Sequence, residues 1–74
     1  MLVTEHTTLT ELVKEYGEIE EIMEAFGVKS TETNPLRREI AMNIAVERAS
    51  RIKGMKLNQF IEQINQAIEK HSLS

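Results

Sequence analysis

Residues 9–27 read LTELVKEYGEIEEIMEAFG and contain one apolar pattern twice, at a spacing of ten residues. The matched positions are Leu9, Leu12, Val13, Tyr16 and Gly17, followed by Ile19, Ile22, Met23, Phe26 and Gly27. Apolar residues at i, i+3, i+4 and i+7 form one face of an α-helix, and a glycine directly after them often ends it. In a continuous helix the second face would be rotated from the first by about 80°, since each residue turns by about 100°. We therefore predict two short helices that separate at Gly17 and pack on one core.

Local signals set the predicted ends of these two helices. Thr8 and Glu11 have the spacing of a capping box, with Thr8 as the N-cap and the Glu11 side chain reaching back to the Thr8 amide. The first helix is then predicted to end at about Tyr16. The second is predicted over about 18–26, with glutamates at 18, 20 and 21 in its first turn, where the helix dipole favours negative charge.

The middle of the chain has a clear helix start but leaves two interpretations open. Residues 28–33 are predicted to form a loop, and Asn34-Pro35 then favours a helix start, because Asn accepts from free amides and Pro needs no donor. Residues 36–53 favour a helix, yet their apolar residues surround almost the whole axis. Either this helix is sandwiched between neighbours, or it kinks near 43–45 and continues as two helices with different buried faces. The kink is the interpretation we favour.

The last helix has the most regular apolar stripe in the chain, formed by Leu57, Phe60, Ile61, Ile64, Ala67 and Ile68. It is predicted from about Leu57 to Lys70, with residues 71–74 frayed. No strand pattern is found in the sequence. The prediction is a single all-α domain over residues 1–74, a compact, bundle-like array of four or five short helices.

Composition excludes several classes of protein. The chain has 74 residues and no cysteine, so disulfides, thiolate catalysis and zinc–sulfur sites are excluded. No segment approaches the ~20 apolar residues of a membrane span, and we expect a cytoplasmic protein. The formal net charge of −3 is unevenly distributed: residues 1–33 carry eight Glu and two Lys, whereas residues 34–56 carry six Arg or Lys and two Glu. The two halves are expected to attract each other in the folded state.

Several motifs occur in order along the chain, namely Leu9-x-x-Leu-Val-x-x-Tyr, Ile22-Met23-x-x-Phe26-Gly27-Val28, Asn34-Pro35-Leu36 and Lys53-Gly54-Met55-Lys56-Leu57. In order and spacing they resemble the domain of unknown function 1858 family of small bacterial and archaeal proteins, over about residues 2–70. The resemblance implies a compact all-α domain without an established activity. It also suggests a companion role beside a redox or stress-response protein, since some family members are attached to or accompany such proteins.

One branch of that family, which accompanies hybrid-cluster redox proteins, has a C-x-x-C-P motif after the second helix. The corresponding positions here are Thr31 and Asn34, before Pro35, if one extra loop residue is allowed. Neither residue has a sulfur atom. The thiol–disulfide chemistry of that branch is therefore not expected in this chain.

No pattern of catalytic or metal-binding residues is found in the sequence. The carboxylates at 18, 20, 21 and 24 crowd one short helix, where a solvated face explains them, and His6 and His71 lie near the chain ends without ligand spacing. There is no Gly-rich phosphate loop. We expect no enzyme activity and no cofactor, and predict a small protein-interaction or regulatory module with an unknown protein partner or a homodimer.

Three groups of residues are candidates for contacts. Asn34, Arg37 and Arg38 could hold an anion or an acidic side chain at a helix N-terminus, although a plain N-cap also explains Asn34. Met42, Val46 and Met55 could form an apolar interface if they are exposed together, and otherwise belong to the core. The third group is a basic patch, formed by Arg48, Arg51, Lys53 and Lys56.

The basic segment 37–56 leaves a weak nucleic-acid-binding domain as the alternative function. We do not favour it, because the sequence pI is about 5.3 and no aromatic residue lies between the basic ones for base stacking.

Overall fold

The computed structural model describes residues 1–29 and 33–73, in which five helices follow one another. They are α1 (Leu9–Tyr16), α2 (Glu20–Ala25), α3 (Pro35–Met42), α4 (Val46–Ile52) and α5 (Leu57–Leu73). The described residues contain no β-strand, and one isolated antiparallel bridge joins Thr8 and Ala45. The predicted all-α class, with four or five helices, is confirmed.

The predicted break at Gly17 is present, and α2 begins later than predicted. The Thr8 hydroxyl accepts from the Glu11 amide at 3.3 Å, and the Glu11 carboxylate reaches back to the Thr8 hydroxyl at 3.4 Å. Gly17 follows α1 with φ of 82°, a conformation that side chains disfavour. Ile19 is then extended and buried, so α2 starts at Glu20 and not at Glu18. The extended residues between the helices bring Ile19 into the core.

The favoured kink in the middle of the chain is confirmed as a break between α3 and α4. Residues 43–45 leave the helix and run beside the segment before α1. The Leu9 amide donates to the Ile44 carbonyl at 3.4 Å, and the Val46 amide donates to the Thr7 carbonyl at 2.8 Å. These long-range bonds satisfy the backbone groups that the break removes from the helix.

The core is formed by the inner faces of all the helices and is centred on α5. Phe60 and Ile64 of α5 are fully buried, and the Phe60 ring meets the Phe26 ring edge-on at 5.7 Å between centroids. α5 packs against α4 and α2, while α3 packs against α1. α5 continues to Leu73, beyond the predicted end at about Lys70; the predicted fraying of residues 71–74 stays a prediction, and Ser74 lies outside the described residues.

Candidate functional site

The side of α3 that points away from the core is apolar. Leu36 and Ile40 are 64% and 59% exposed, although both are large hydrophobic residues. They lie one turn apart, about 40° from each other around the helix axis. Ala41 is buried and Met42 half-buried on the other side of the same helix. We call Leu36 and Ile40 the outer ridge of α3.

The apolar residues of the middle segment surround the whole axis partly because α3 has an exposed apolar side, the outer ridge, in addition to its buried side. The break at residues 43–45 gives α3 and α4 different buried faces, as predicted, but it does not cover every apolar residue. Leu36 and Ile40 were not among the predicted interface residues. The sequence carried the signal, because these two residues and the buried Ala41 fall on different sides of one helix.

The predicted apolar interface of Met42, Val46 and Met55 is not an exposed patch. Val46 is completely buried and belongs to the core; its amide donates to the Thr7 carbonyl, and α4 packs against α5. Met42 and Met55 are half-buried and pack against the core. The condition for an interface at these three residues, joint exposure, is therefore not met: Val46 belongs to the core, and Met42 and Met55 pack against it.

The residues of the predicted anion site at the start of α3 form contacts within the chain. The Asn34 side-chain oxygen accepts from the Leu36 and Arg37 amides at 3.0 and 3.4 Å, which is an N-cap. Arg38 forms an ion pair with Glu18, so its charge is already matched within the chain. Thr31, the other position compared with the redox branch, lies outside the described residues.

The four residues of the predicted basic patch are all exposed, but they do not form one uniform surface. Arg48 and Arg51 line a depression together with Glu5 and Glu47, and Arg51 donates to the Glu47 carboxylate at 2.7 Å. Lys53 lines a different depression, together with two glutamates of α2. Carboxylates are therefore interleaved with the cations, which lowers the attraction of this surface for a phosphate backbone.

A small apolar groove lies between the carboxyl ends of α2 and α4. We call it the α2–α4 groove; it is lined by Ala25, Phe26, Gly27, Ala49, Ile52 and Lys53. Its volume is about 190 Å³. Drug-sized ligands occupy pockets of about 300–1,000 Å³, so this groove suits a single side chain better than a substrate. Ile52 stands at its edge and is 66% exposed.

The carboxylates and histidines considered for a catalytic site lie on the surface, and two of the carboxylates form ion pairs. Glu18 is paired with Arg38, and Glu21 lies 3.9 Å from the Lys70 amino group. His6 is exposed beside Glu5, and no set of three or more acidic, His or Cys side chains among the described residues is arranged to hold a metal ion. Within residues 1–29 and 33–73, no helix has both the length and the apolar character to cross a membrane.

No protein-family model, curated protein or solved structure matches this chain. The resemblance to the domain of unknown function 1858 family therefore stays a prediction from the motifs.

Proposed function

We propose that this chain is a non-catalytic protein-interaction module that binds its partner through the outer ridge of α3. The observation that carries the proposal is the exposure of Leu36 and Ile40, on a helix whose opposite side is already packed in the core. Full burial of a Leu or Ile side chain stabilises by about 1.5–3 kcal/mol. Covering the exposed parts of both would therefore contribute about 2–4 kcal/mol to binding a partner.

The partner chemistry that fits the ridge is an amphipathic helix. Two apolar side chains one turn apart are the anchors used when one helix packs against another. Arg37 follows Leu36 in the sequence, and Glu39 precedes Ile40. Because each residue turns the helix by about 100°, these two charged residues fall on opposite sides of the ridge. The complementary helix would have an apolar stripe with a basic residue on the flank that meets Glu39.

The experiment has two steps, identification and measurement. A photoreactive amino acid is placed at Ile40 and, as a control, at the exposed Glu62 of α5, and crosslinked proteins from the native cell are compared. A protein captured only from position 40 is then purified and titrated against the chain by calorimetry. The double variant Leu36→Ser/Ile40→Ser should weaken binding at least tenfold, which corresponds to 1.4 kcal/mol.

The matched control changes an exposed isoleucine elsewhere. Ile52→Ser removes a similar exposed side chain from α4 and should leave binding at the ridge unchanged. Circular dichroism checks that the variants keep their helices, which is expected because the altered residues are exposed. Equal affinity of the wild-type chain and the Leu36→Ser/Ile40→Ser variant would refute the proposal.

We also propose that the module acts in the cytoplasm, beside a redox or stress-response protein. The support for the companion is the motif resemblance described above. Fractionation of native cells with an antibody against the chain tests the location, and the crosslinking experiment tests the companion.

A further inference from the structure

α3 contributes fewer buried side chains to the core than the helices around it. Ala41 is its one buried residue, Arg38 and Met42 are half-buried, and the other five residues are exposed. α2 and α4 are shorter than α3, and each of them buries three residues. Ala41 has a single methyl group, and the free energy gained by burial grows with the apolar area that is buried. The core therefore holds α3 less firmly than it holds α2 or α4.

α3 is also too short to be stable as a helix away from the core. It has eight residues, whereas isolated helices shorter than about 12–15 residues are marginal in water. If α3 leaves the core, its helical hydrogen bonds are therefore expected to break at the same time. Its backbone amides would then exchange their hydrogens with solvent.

The chain that follows α3 is fixed by bonds that do not use any group of α3. The backbone of residues 44–46 is bonded to residues 7–9, and the Glu47 amide donates to the Glu5 carbonyl at 3.0 Å. These bonds can persist when α3 leaves, so α4 keeps its place on the segment before α1. Asn43 lies between α3 and the fixed residues. It is therefore the point at which α3 can pivot.

Two polar contacts also attach α3 to the rest of the chain. The Thr10 hydroxyl of α1 donates to the Met42 carbonyl at 2.7 Å, which satisfies a carbonyl at the end of the helix. The second contact is the ion pair of Arg38 with Glu18, which lies between α1 and α2. These two side chains are 41% and 56% exposed, so water and salt weaken their attraction. We call this ion pair the latch of α3.

We propose that α3 opens from the core as a separate unit, pivoting at Asn43 while α1, α2, α4 and α5 stay folded, and that the latch between Arg38 and Glu18 sets how often it opens. Opening breaks the helix that holds Leu36 and Ile40 one turn apart, so the latch also controls how often the outer ridge is formed. The opening is a property of the chain alone. It is therefore tested without a partner, and it stands or falls independently of partner binding at the ridge.

Native-state amide hydrogen exchange of the full chain, followed by nuclear magnetic resonance, measures the opening of each helix. After correction for intrinsic exchange rates, the amides of residues 39–42 should exchange at least about tenfold faster than those of residues 60–64 in α5. Low concentrations of urea should speed exchange in α5 much more than in α3, because global unfolding exposes more surface than local opening. Equal rates in the two helices, with the same dependence on urea, would overturn the proposal.

The variant Arg38→Gln tests the latch, and it changes helix propensity little. Arg38 is replaced instead of Glu18 because Glu20 lines the same depression and could pair with the arginine if Glu18 were changed. Exchange in α3 should become about two- to fivefold faster, the range expected for an exposed ion pair, and exchange in α5 should not change. Arg51→Gln is the matched control, because it removes the ion pair with Glu47 inside α4 and should leave α3 unaffected.

Two further measurements separate the latch from other effects of the arginine. Glu18→Arg alone places like charges opposite each other and should speed exchange in α3, whereas Glu18→Arg/Arg38→Glu should return it toward the wild-type rate. Raising the salt from about 0.02 M to about 0.5 M should speed exchange in α3 of the wild-type chain, and should have little effect in Arg38→Gln. A double variant that opens as often as Glu18→Arg alone would show that the ion pair is not the latch.

The variant Ala41→Asp tests whether α3 can leave without unfolding the rest of the chain. Ala41 is 5% exposed, so docking would bury an unpaired carboxylate and the open state should predominate. The α3 amides should lose their protection while those of α4 and α5 keep it. Ile40→Asp makes the same change on the exposed side of the helix and should leave α3 docked. Loss of protection throughout the domain in Ala41→Asp would overturn the proposal, since α3 would then be part of one cooperative unit.

Discussion

The substitution Gly17→Ala tests whether the break between α1 and α2 depends on the backbone conformation at one residue. Gly17 has φ of 82° and ψ of −172°, a combination that is almost restricted to glycine. A Cβ atom added there would have no atom within 4 Å, so crowding contributes nothing and the whole cost is conformational.

The expected magnitude follows from two opposing terms. Holding an L-residue in this region costs about 1–3 kcal/mol. Replacing glycine reduces the conformational entropy of the unfolded chain, which stabilises the folded state by about 0.4–1 kcal/mol. The net effect is a loss of about 1–2 kcal/mol in the free energy of unfolding. For a domain of this size, each kcal/mol lost lowers the midpoint of thermal unfolding by about 4–8 °C.

A mirror-image residue at the same position provides the sharpest control. The conformation at Gly17 is the mirror image of an extended conformation that L-residues adopt readily, so D-alanine fits it without strain. Chemical synthesis of the 74-residue chain with D-alanine at position 17 should raise stability by about 0.4–1 kcal/mol, through the entropy term alone. Both variants add one methyl group, and they differ only in its handedness.

Urea denaturation followed by circular dichroism gives the free energy of unfolding of all three chains. The expected order of stability is D-alanine, then glycine, then L-alanine. An L-alanine variant as stable as the wild-type chain, or a D-alanine variant less stable than it, would refute the assignment of the break to the conformation of Gly17.

The remaining predictions concern the core, a helix cap and the alternative ligand. Phe60→Ala should cost about 3–5 kcal/mol, since Phe60 is fully buried against Phe26; thermal melting checks this, with Phe60→Leu as the milder control. Asn34→Ala should cost about 1 kcal/mol in urea denaturation by removing the cap of α3, and Asn34→Asp should cost less; equal stability of the alanine variant would contradict the cap. A labelled DNA duplex should not bind at low salt, because Arg51 is matched by Glu47 and the chain has a net charge of −3; saturable binding that Arg48→Glu abolishes would support the nucleic-acid alternative.

The helix ends near Thr8, Gly17 and Asn34 were predictable from the sequence because each depends on a few neighbouring residues. Thr8 caps an amide three residues ahead, and Asn34 caps amides two and three residues ahead. Such bonds join residues that are close in sequence, so the residue types alone indicate where a helix begins. The start of α2 was predicted less well, because the buried position of Ile19 and the pairing of Glu18 with Arg38 depend on the rest of the chain.

Which apolar residues lie at the surface was not predictable from the sequence. Val46 and Ile40 are similar β-branched residues in neighbouring helices, yet Val46 is completely buried and Ile40 is 59% exposed. The difference arises because residues 43–45 pair with the segment before α1, which sets the rotation of α3 and α4 independently. A helical pattern shows which residues share a face, but not which face the other helices cover.

The sequence by itself determined the all-α class, the break at Gly17, the cap at Asn34 and the lack of cysteine chemistry, because these depend on residue type and short spacing. The tertiary structure alone decided where the candidate surfaces lie. It left Leu36 and Ile40 outside the core, and it brought the ends of α2 and α4 together to form the α2–α4 groove. The physical reason is that burial and charge pairing are settled between residues far apart in the chain, whereas helix starts and ends are settled between near neighbours.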